Sequence, residues 1–545
     1  MYIDLFTDLT KMIPDTLTDN GAPSYTTTLD ARLDLFVKTT REVGVLPAGQ
    51  AVVKKEPDVD ISTSDDDESQ TVVSNDDLYA MIDKSWSIDP LDTMKILFNW
   101  RDCRGGKGDH RGFIAAMIHV NAKYGDWFIT NFKVIPEYGS WLDLVKLWHF
   151  VGAESKEVIM AYIYIKLSED MDHLHSDNPK ESAKVSLLAK WLPSENSKWD
   201  RYTGDKKQRF VMNLAKTMMS STGYVKGEHI KRLRTLYVSP LRKHLQLVES
   251  KLCAKEFDKI KYETVPSVAM KKYRKAFARN DADGFTEYLQ QVQKGEKKIN
   301  ASQVYPHDLV RHYMHNPITT VDLVIEEQWK SIKKTVKETG AFDDSICVCD
   351  VSGSMAGTPL EVAIALGLLG LYDDQVITFS ESPALHKVPE GSLMSQVQNL
   401  ERMQWGMSTN FEKTMDLVLD LCVKKKSHPI KRIFIFSDMQ FDMAVQTTGN
   451  KTHFQLVNQK FAKEEIPVPQ IVFWNLNGST KDFPVTTDEN GVVILSGYSP
   501  ALLSSLVDGA DISPMTMLLK VIRGTRYDMI KPPPPSTESA AHSPI

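Results

Sequence analysis

Apolar residues recur at spacings of three and four over residues 91–100, 113–124, 140–151, 157–167, 183–191 and 209–219, which predicts a succession of helices with short breaks. Strand-like alternation is scarce before residue 340. Stacked helix pairs of the HEAT kind are the expected arrangement, although no fixed repeat period is present. Beyond 340 the pattern changes. Ser345-Ile-Cys-Val-Cys-Asp350 is a continuous apolar run ending in a carboxylate, as a strand buried on both faces requires. Ile433-Phe-Ile-Phe-Ser437-Asp438 is a second such run, and 470–476 and 492–495 extend the sheet. Helices are predicted at 411–426, 454–464, 500–506 and 513–522. Another opens at Thr358-Pro359-Leu360-Glu361, with Thr358 as N-cap and Glu361 closing a capping box. Strand, loop and helix in alternation predict a doubly wound parallel α/β domain, so the expected fold class is α + α/β.

The same pattern divides the chain into five parts. Residues 1–46 form an N-terminal segment whose short helix carries Leu29, Leu33 and Phe36 on one side. Residues 47–76 include Ser62-Thr-Ser-Asp-Asp-Asp-Glu-Ser69 and few large apolar side chains, so they read as a disordered acidic linker. The helical domain spans 77–338 and the α/β domain 339–528, and a disordered Pro-rich tail fills 529–545.

Composition narrows the class. With 545 residues, 42% hydrophobic and 25% charged, the chain has material for more than one core. Five cysteines make no disulfide framework, and without a C-x-x-C or a His cluster zinc is not expected. The start lacks a basic, apolar leader, and the best apolar run, 362–371, is too short to span a bilayer. The expectation is therefore a protein of the cytoplasm or nucleus with no membrane partner.

The net charge of −6 conceals a basic block: residues 201–300 hold 23 Lys and Arg against 10 Asp and Glu. On the helix over 267–279, Lys271, Lys272, Arg274, Lys275 and Arg279 share an arc of about 160°, opposite Met270, Tyr273 and Phe277. Arg242 and Lys243 add to the block. Structured or single-stranded RNA, held by its phosphates, fits such a face; a solvated helix surface is the alternative. A second basic stretch sets Arg101, Arg104, Lys107 and Arg111 around three glycines, which suits either phosphate binding or a charged helix–helix turn. It is no Walker A loop, because Gly108 stands where Ser or Thr is needed.

Asp350-x-Ser352-x-Ser354 is chemistry for a hard divalent cation, Mg²⁺ or Mn²⁺. One carboxylate supplies charge and two hydroxyls supply neutral oxygens, leaving positions for water or an acidic ligand. With Ser408-Thr409-Asn410 before a helix and Ser437-Asp438 at a second strand end, these residues resemble the von Willebrand factor type A domain. That resemblance assigns Asp350, Ser352, Ser354, Thr409 and Asp438 to its metal-ion-dependent adhesion site. Thr409 with Glu412 also reads as a plain capping box, and Met439 stands where the type A family has glycine.

Helices in front of such a domain resemble the layout of the Ro autoantigen (TROVE) family, and Gly139-Ser-Trp141-Leu-Asp143-Leu is similar to its G-x-W-x-D-L stretch. The match extends to an uncharacterised sister family through Arg101–Gly108, Leu241–Leu245, Val265–Met270, Lys298–Ala301 and Phe436–Asp442. The layout implies an RNA-binding ribonucleoprotein component whose cation site holds an acidic protein partner. The alternative is a scaffold that meets acidic ligands at the cation without RNA. No nucleophile–base pair is recognisable, so catalysis is not expected.

Overall fold

The computed structural model describes residues 14–19, 23–40, 75–220, 228–314, 320–379, 383–402, 410–424, 430–440, 453–478, 482–506 and 512–535. Thr409, most of the expected linker and the end of the expected tail lie outside them. Six strands form one sheet: β3 (Ser345–Asp350), β4 (Gln375–Phe379), β5 (Ala384–Lys387), β6 (Arg432–Ser437), β7 (Gln470–Asn475) and β8 (Val492–Ser496). A two-residue hairpin, β1 (Thr16–Leu17) with β2 (Pro23–Ser24), precedes them. The spatial order is β5-β4-β3-β6-β7-β8, parallel throughout except that β5 runs against β4. No long apolar run marks β4 or β5; the latter is a partly exposed edge strand, Ala-Leu-His-Lys, whose polar residues hid it.

From β3 the chain crosses to β4 on one side and later to β6 on the other. The switch point of the sheet therefore lies between the carboxyl ends of β3 and β6, where open α/β sheets form a crevice. Helix Thr358–Leu369 is apolar all round and buried all round, held between β3 and helix Pro306–Met314 of the preceding region. Gly367 permits the close approach, since a Cβ there would collide with the Cys349 sulfur. The start of this helix departs from expectation. Its N-cap is Gly357, at a φ of 91° that favours glycine. Thr358 and Glu361 instead receive Arg311, whose Nη2 donates to Thr358 Oγ1 at 2.9 Å and Nε to Glu361 Oε2 at 2.7 Å.

Before residue 340 the regular elements of the described residues are helices apart from the β1–β2 hairpin, as the pattern predicts, with Pro90–Arg101, Arg111–Lys123, Trp141–Phe150, Phe210–Ser220 and Ser267–Asn280 close to the expected spans. Helix Ala153–Leu174 is longer than expected, whereas 183–191 is mostly turn with only Leu188–Trp191 helical. A separate small core, built on Tyr262, Met270, Phe277, Phe285 and Tyr288, supports residues 248–299. Among the described residues no helix is long and apolar enough to cross a membrane.

One continuous apolar core runs from the helical region into the sheet. Helix Ala31–Lys38 explains how: Leu33, Leu35, Phe36 and Val37 are all buried, because the helix lies between helices Asn75–Ile88 and Pro90–Arg101 and strand β8. Each such side chain contributes roughly 1.5–3 kcal/mol on burial. Leu29, expected on the apolar side, instead lies outside the helix, 53% exposed, with a φ of 77°. Residues 523–531 dock in return. Arg526 pairs with Asp102, Arg523 reaches Asp92 at 2.7 Å, and Tyr527 stacks on Tyr138. Lys531 and Asn131 exchange two hydrogen bonds of 2.9 and 2.8 Å, so the chain is ordered past 529, where the tail was expected to begin.

Candidate cation site and basic face

Register builds the site. Cys349 pairs with Phe436, so Asp350 lies level with Ser437 across the switch point. Ser437 Oγ donates to Asp350 Oδ2 at 2.6 Å and accepts the Met439 N–H at 3.1 Å. Asp350 Oδ1 accepts the Ser352 N–H at 2.9 Å, which turns the chain so that the Ser352 and Ser354 hydroxyls lie 3.0 Å apart. The Ser354 hydroxyl is close enough to the Asp438 carboxylate to favour its charged form, and the Gln440 N–H donates to Asp438 Oδ1 at 3.1 Å. Four of the five expected ligands thus converge; the fifth, Thr409, lies outside the described residues. Helix Phe411–Lys424 is capped by Asn410, whose Oδ1 accepts the Lys413 N–H at 2.9 Å, while Glu412 pairs with Lys460; the expected capping box of Glu412 with Thr409 falls on a residue outside those described.

Both carboxylates are buried, and burial raises the proton affinity of each; for Asp350 the charge of Asp438 raises it further. Two like charges held together away from water are unfavourable unless a cation lies between them. Among the described residues no group of three or more His, Cys, Asp and Glu is placed to hold a metal. The donor set fits a hard ion through two carboxylates and two hydroxyls, which Asp350, Asp438, Ser352 and Ser354 would supply. Such an ion would offer positive charge and open positions to an anionic ligand.

Met439 explains its own departure from the type A pattern. Its φ is 67°, the left-handed region where glycine is usual, and its side chain is 2% exposed. Left-handed backbone costs a non-glycine residue about 1–2 kcal/mol, whereas emptying a buried Met site costs about 2–5. Met439→Gly is therefore expected to lower stability by about 1–3 kcal/mol in urea unfolding; a gain would mean that backbone strain dominates.

The basic residues divide. Lys107 is fully buried, and Arg101, 7% exposed, pairs with Asp143 at 2.7 Å. Both are buried, Arg101 within the helical region and Lys107 against the end of β8, and present nothing to RNA, which corrects the phosphate-loop expectation. The Lys107 ammonium reaches the Phe36 carbonyl, Thr39 O at 2.9 Å, Thr39 Oγ1 at 3.1 Å and Ser496 Oγ at 2.6 Å. Exposed Arg104 donates to Glu137 O, and Arg242 caps helix Leu188–Trp191 through Ala189 O and Leu192 O. Lys271 lies 3.6 Å from Asp308, and Arg274 bonds Asp322 at 2.6 Å. These two turn inward, so the expected five-residue face is narrower. Lys243, Lys275 and Arg279 are exposed, with Lys272 and Arg111 partly so. Ser437, Gln440 and Arg311 were not recognised as parts of the site; only Ser437, beside Asp438 and level with Asp350, left a signal in the strand pattern.

Comparison with known proteins places the chain. The family described as Domain of unknown function (DUF2828) matches residues 18–161 and 160–342, and Domain of unknown function (DUF7788) matches 344–523. The two meet where the helical region passes into β3. The chain belongs to the DUF2828 family. It is similar to the Uncharacterized protein L728 of Acanthamoeba polyphaga mimivirus, with 32% identity over 543 residues covering 93% of this chain and 86% of that protein.

Proposed function

We propose that the protein is a non-enzymatic recognition protein whose type A-like domain binds an acidic protein partner through Mg²⁺ or Mn²⁺, carried on a HEAT-like helical body of Ro/TROVE layout. The observation that supports it most is the meeting of Asp350, Asp438, Ser352 and Ser354 at the switch point of the sheet. Arg311 ties the first turn of the helix that follows β3 to the helical body, so the site sits beside rigid elements. Binding of a fluorescent poly-glutamate peptide tests the reading. Anisotropy is expected to rise in Mg²⁺ and to return to baseline in EDTA or with Asp438→Asn. Equal binding in EDTA would overturn it.

A second reading, RNA binding by the helical body, is favoured by Lys272, Lys275 and Arg279. At 100° per residue they fall within roughly 60° of one helix face, beside the paired Lys271 and Arg274, which occupy the other end of the arc. Each phosphate contact to single-stranded RNA contributes about 0.7 to the slope of log K against log salt. Lys275→Ala with Arg279→Ala is expected to lessen that slope by about one to one and a half, without loss of fold. An unchanged slope would leave the protein partner as the ligand.

A further inference from the structure

Four consecutive prolines, Pro532–Pro535, leave the body of the protein from a fixed point. Lys531 is held at both backbone polar groups, its N–H donating to Asn131 Oδ1 at 2.9 Å and its carbonyl accepting from Asn131 Nδ2 at 2.8 Å. Asn131 is 1% exposed and also donates to Trp127 O at 2.9 Å, so the clamp belongs to helix Gly125–Asn131. Beyond it the backbone has little choice. Each proline ring sets its own φ, and each of residues 531–534 precedes a proline, which disfavours the helical region. The peptide bonds of the described residues are all trans, so the run is a left-handed polyproline II helix. Three residues per turn give it three edges: Lys531 with Pro534, Pro532 with Pro535, and Pro533 alone. Lys531, Pro532, Pro534 and Pro535 are exposed, whereas Pro533 is half-buried. One edge therefore faces the protein and two adjoining edges face water. Among the described residues no hydrogen bond holds these prolines, so their carbonyls stand open to a partner's donors.

We infer that residues 531–535 are a docking ridge for a protein partner whose groove is lined by aromatic rings and rimmed by carboxylates, the chemistry of SH3 domains. Pro532-x-x-Pro535 has the spacing that such grooves grip. The exposed Lys531 at its head supplies the charge that an acidic rim complements. A helix already formed, and clamped at Asn131, loses little conformational entropy on binding. The inference is independent of the cation and RNA readings.

A panel of purified SH3 domains with acidic rims serves as the probe, and biolayer interferometry on the immobilised full chain gives the affinity. At least one domain is expected to bind wild type. For that domain Pro532→Ala with Pro535→Ala should weaken binding by about tenfold or more, since each ring takes two methylenes out of the groove. Lys531→Glu should weaken it about tenfold, with the larger loss at low salt. Pro533→Ala, on the inner edge, should change it by less than about threefold. The outer-edge variants should melt with wild type, because exposed substitutions of this kind leave the fold intact. No binding of any domain to wild type would overturn the inference. So would binding that survives the Pro532 and Pro535 changes, or that is undiminished by Lys531→Glu.

Discussion

Mg²⁺ is expected to stabilise the wild-type protein and to leave Asp350→Asn unaffected. An ion present at a hundred times its dissociation constant adds about 2.7 kcal/mol to a folded state that alone binds it. The metal-free variant should differ little from metal-free wild type, because two effects oppose each other. The amide weakens charge-assisted bonds from Ser437 Oγ and the Ser352 N–H, a loss of about 1–2 kcal/mol. It also removes one of two buried like charges, a gain of similar size. Asp350→Ala would confound this by removing the hydrogen bonds and leaving a void. Thermal unfolding with and without Mg²⁺ reads the result. An equal Mg²⁺ shift in wild type and Asp350→Asn would remove the site.

Lys107→Ala should be the most destabilising single change considered, at about 4–5 kcal/mol. The side chain fills the space between helix Ala31–Lys38, the loop after helix Pro90–Arg101 and the turn after β8, lying against Gly497 and over the Phe36 ring. Losing three buried methylenes costs roughly 2.4 kcal/mol, before any cavity term. The polar part adds the rest. Ser496 and Thr39 both direct their hydroxyl hydrogens to the Phe36 carbonyl, so each can only accept from Lys107. Burial lowers the proton affinity of the amine, yet a cage of acceptors at a helix C-terminus holds the ammonium form. Lys107→Met separates the two parts: it keeps the volume and should cost about 2 kcal/mol, with faster amide exchange in residues 31–38 and 492–496. A Met variant as stable as wild type would mean that the cage only offsets the burial of the charge.

The elements themselves were legible because their determinants are local. Apolar runs without alternation marked β3, β6, β7 and β8, and three–four spacing marked the longer helices. Asp350, Ser352, Ser354 and Asp438 could be picked out because each pair of strand end and loop lies within a few residues of sequence. Register then brought them together. Edge strand β5 was missed because its partial exposure removes the apolar signal.

What the sequence could not determine was the destination of each charge. Lys107 and Lys275 are both cations in basic stretches, yet one is enclosed by carbonyls and hydroxyls and the other faces water. Arg311 and Glu361, Arg526 and Asp102, and Asp19 and Gln440 find each other only after distant segments pack, and no local periodicity encodes such pairs. The sequence by itself determined most of the longer helices, the strands β3, β6, β7 and β8, and the carboxylates and hydroxyls at two strand ends, since backbone preference and side-chain period act over a few residues. Only the tertiary structure decided that residues 31–38 and 523–531 pack at the junction of helices and sheet, because burial and ion pairing are properties of neighbours in space.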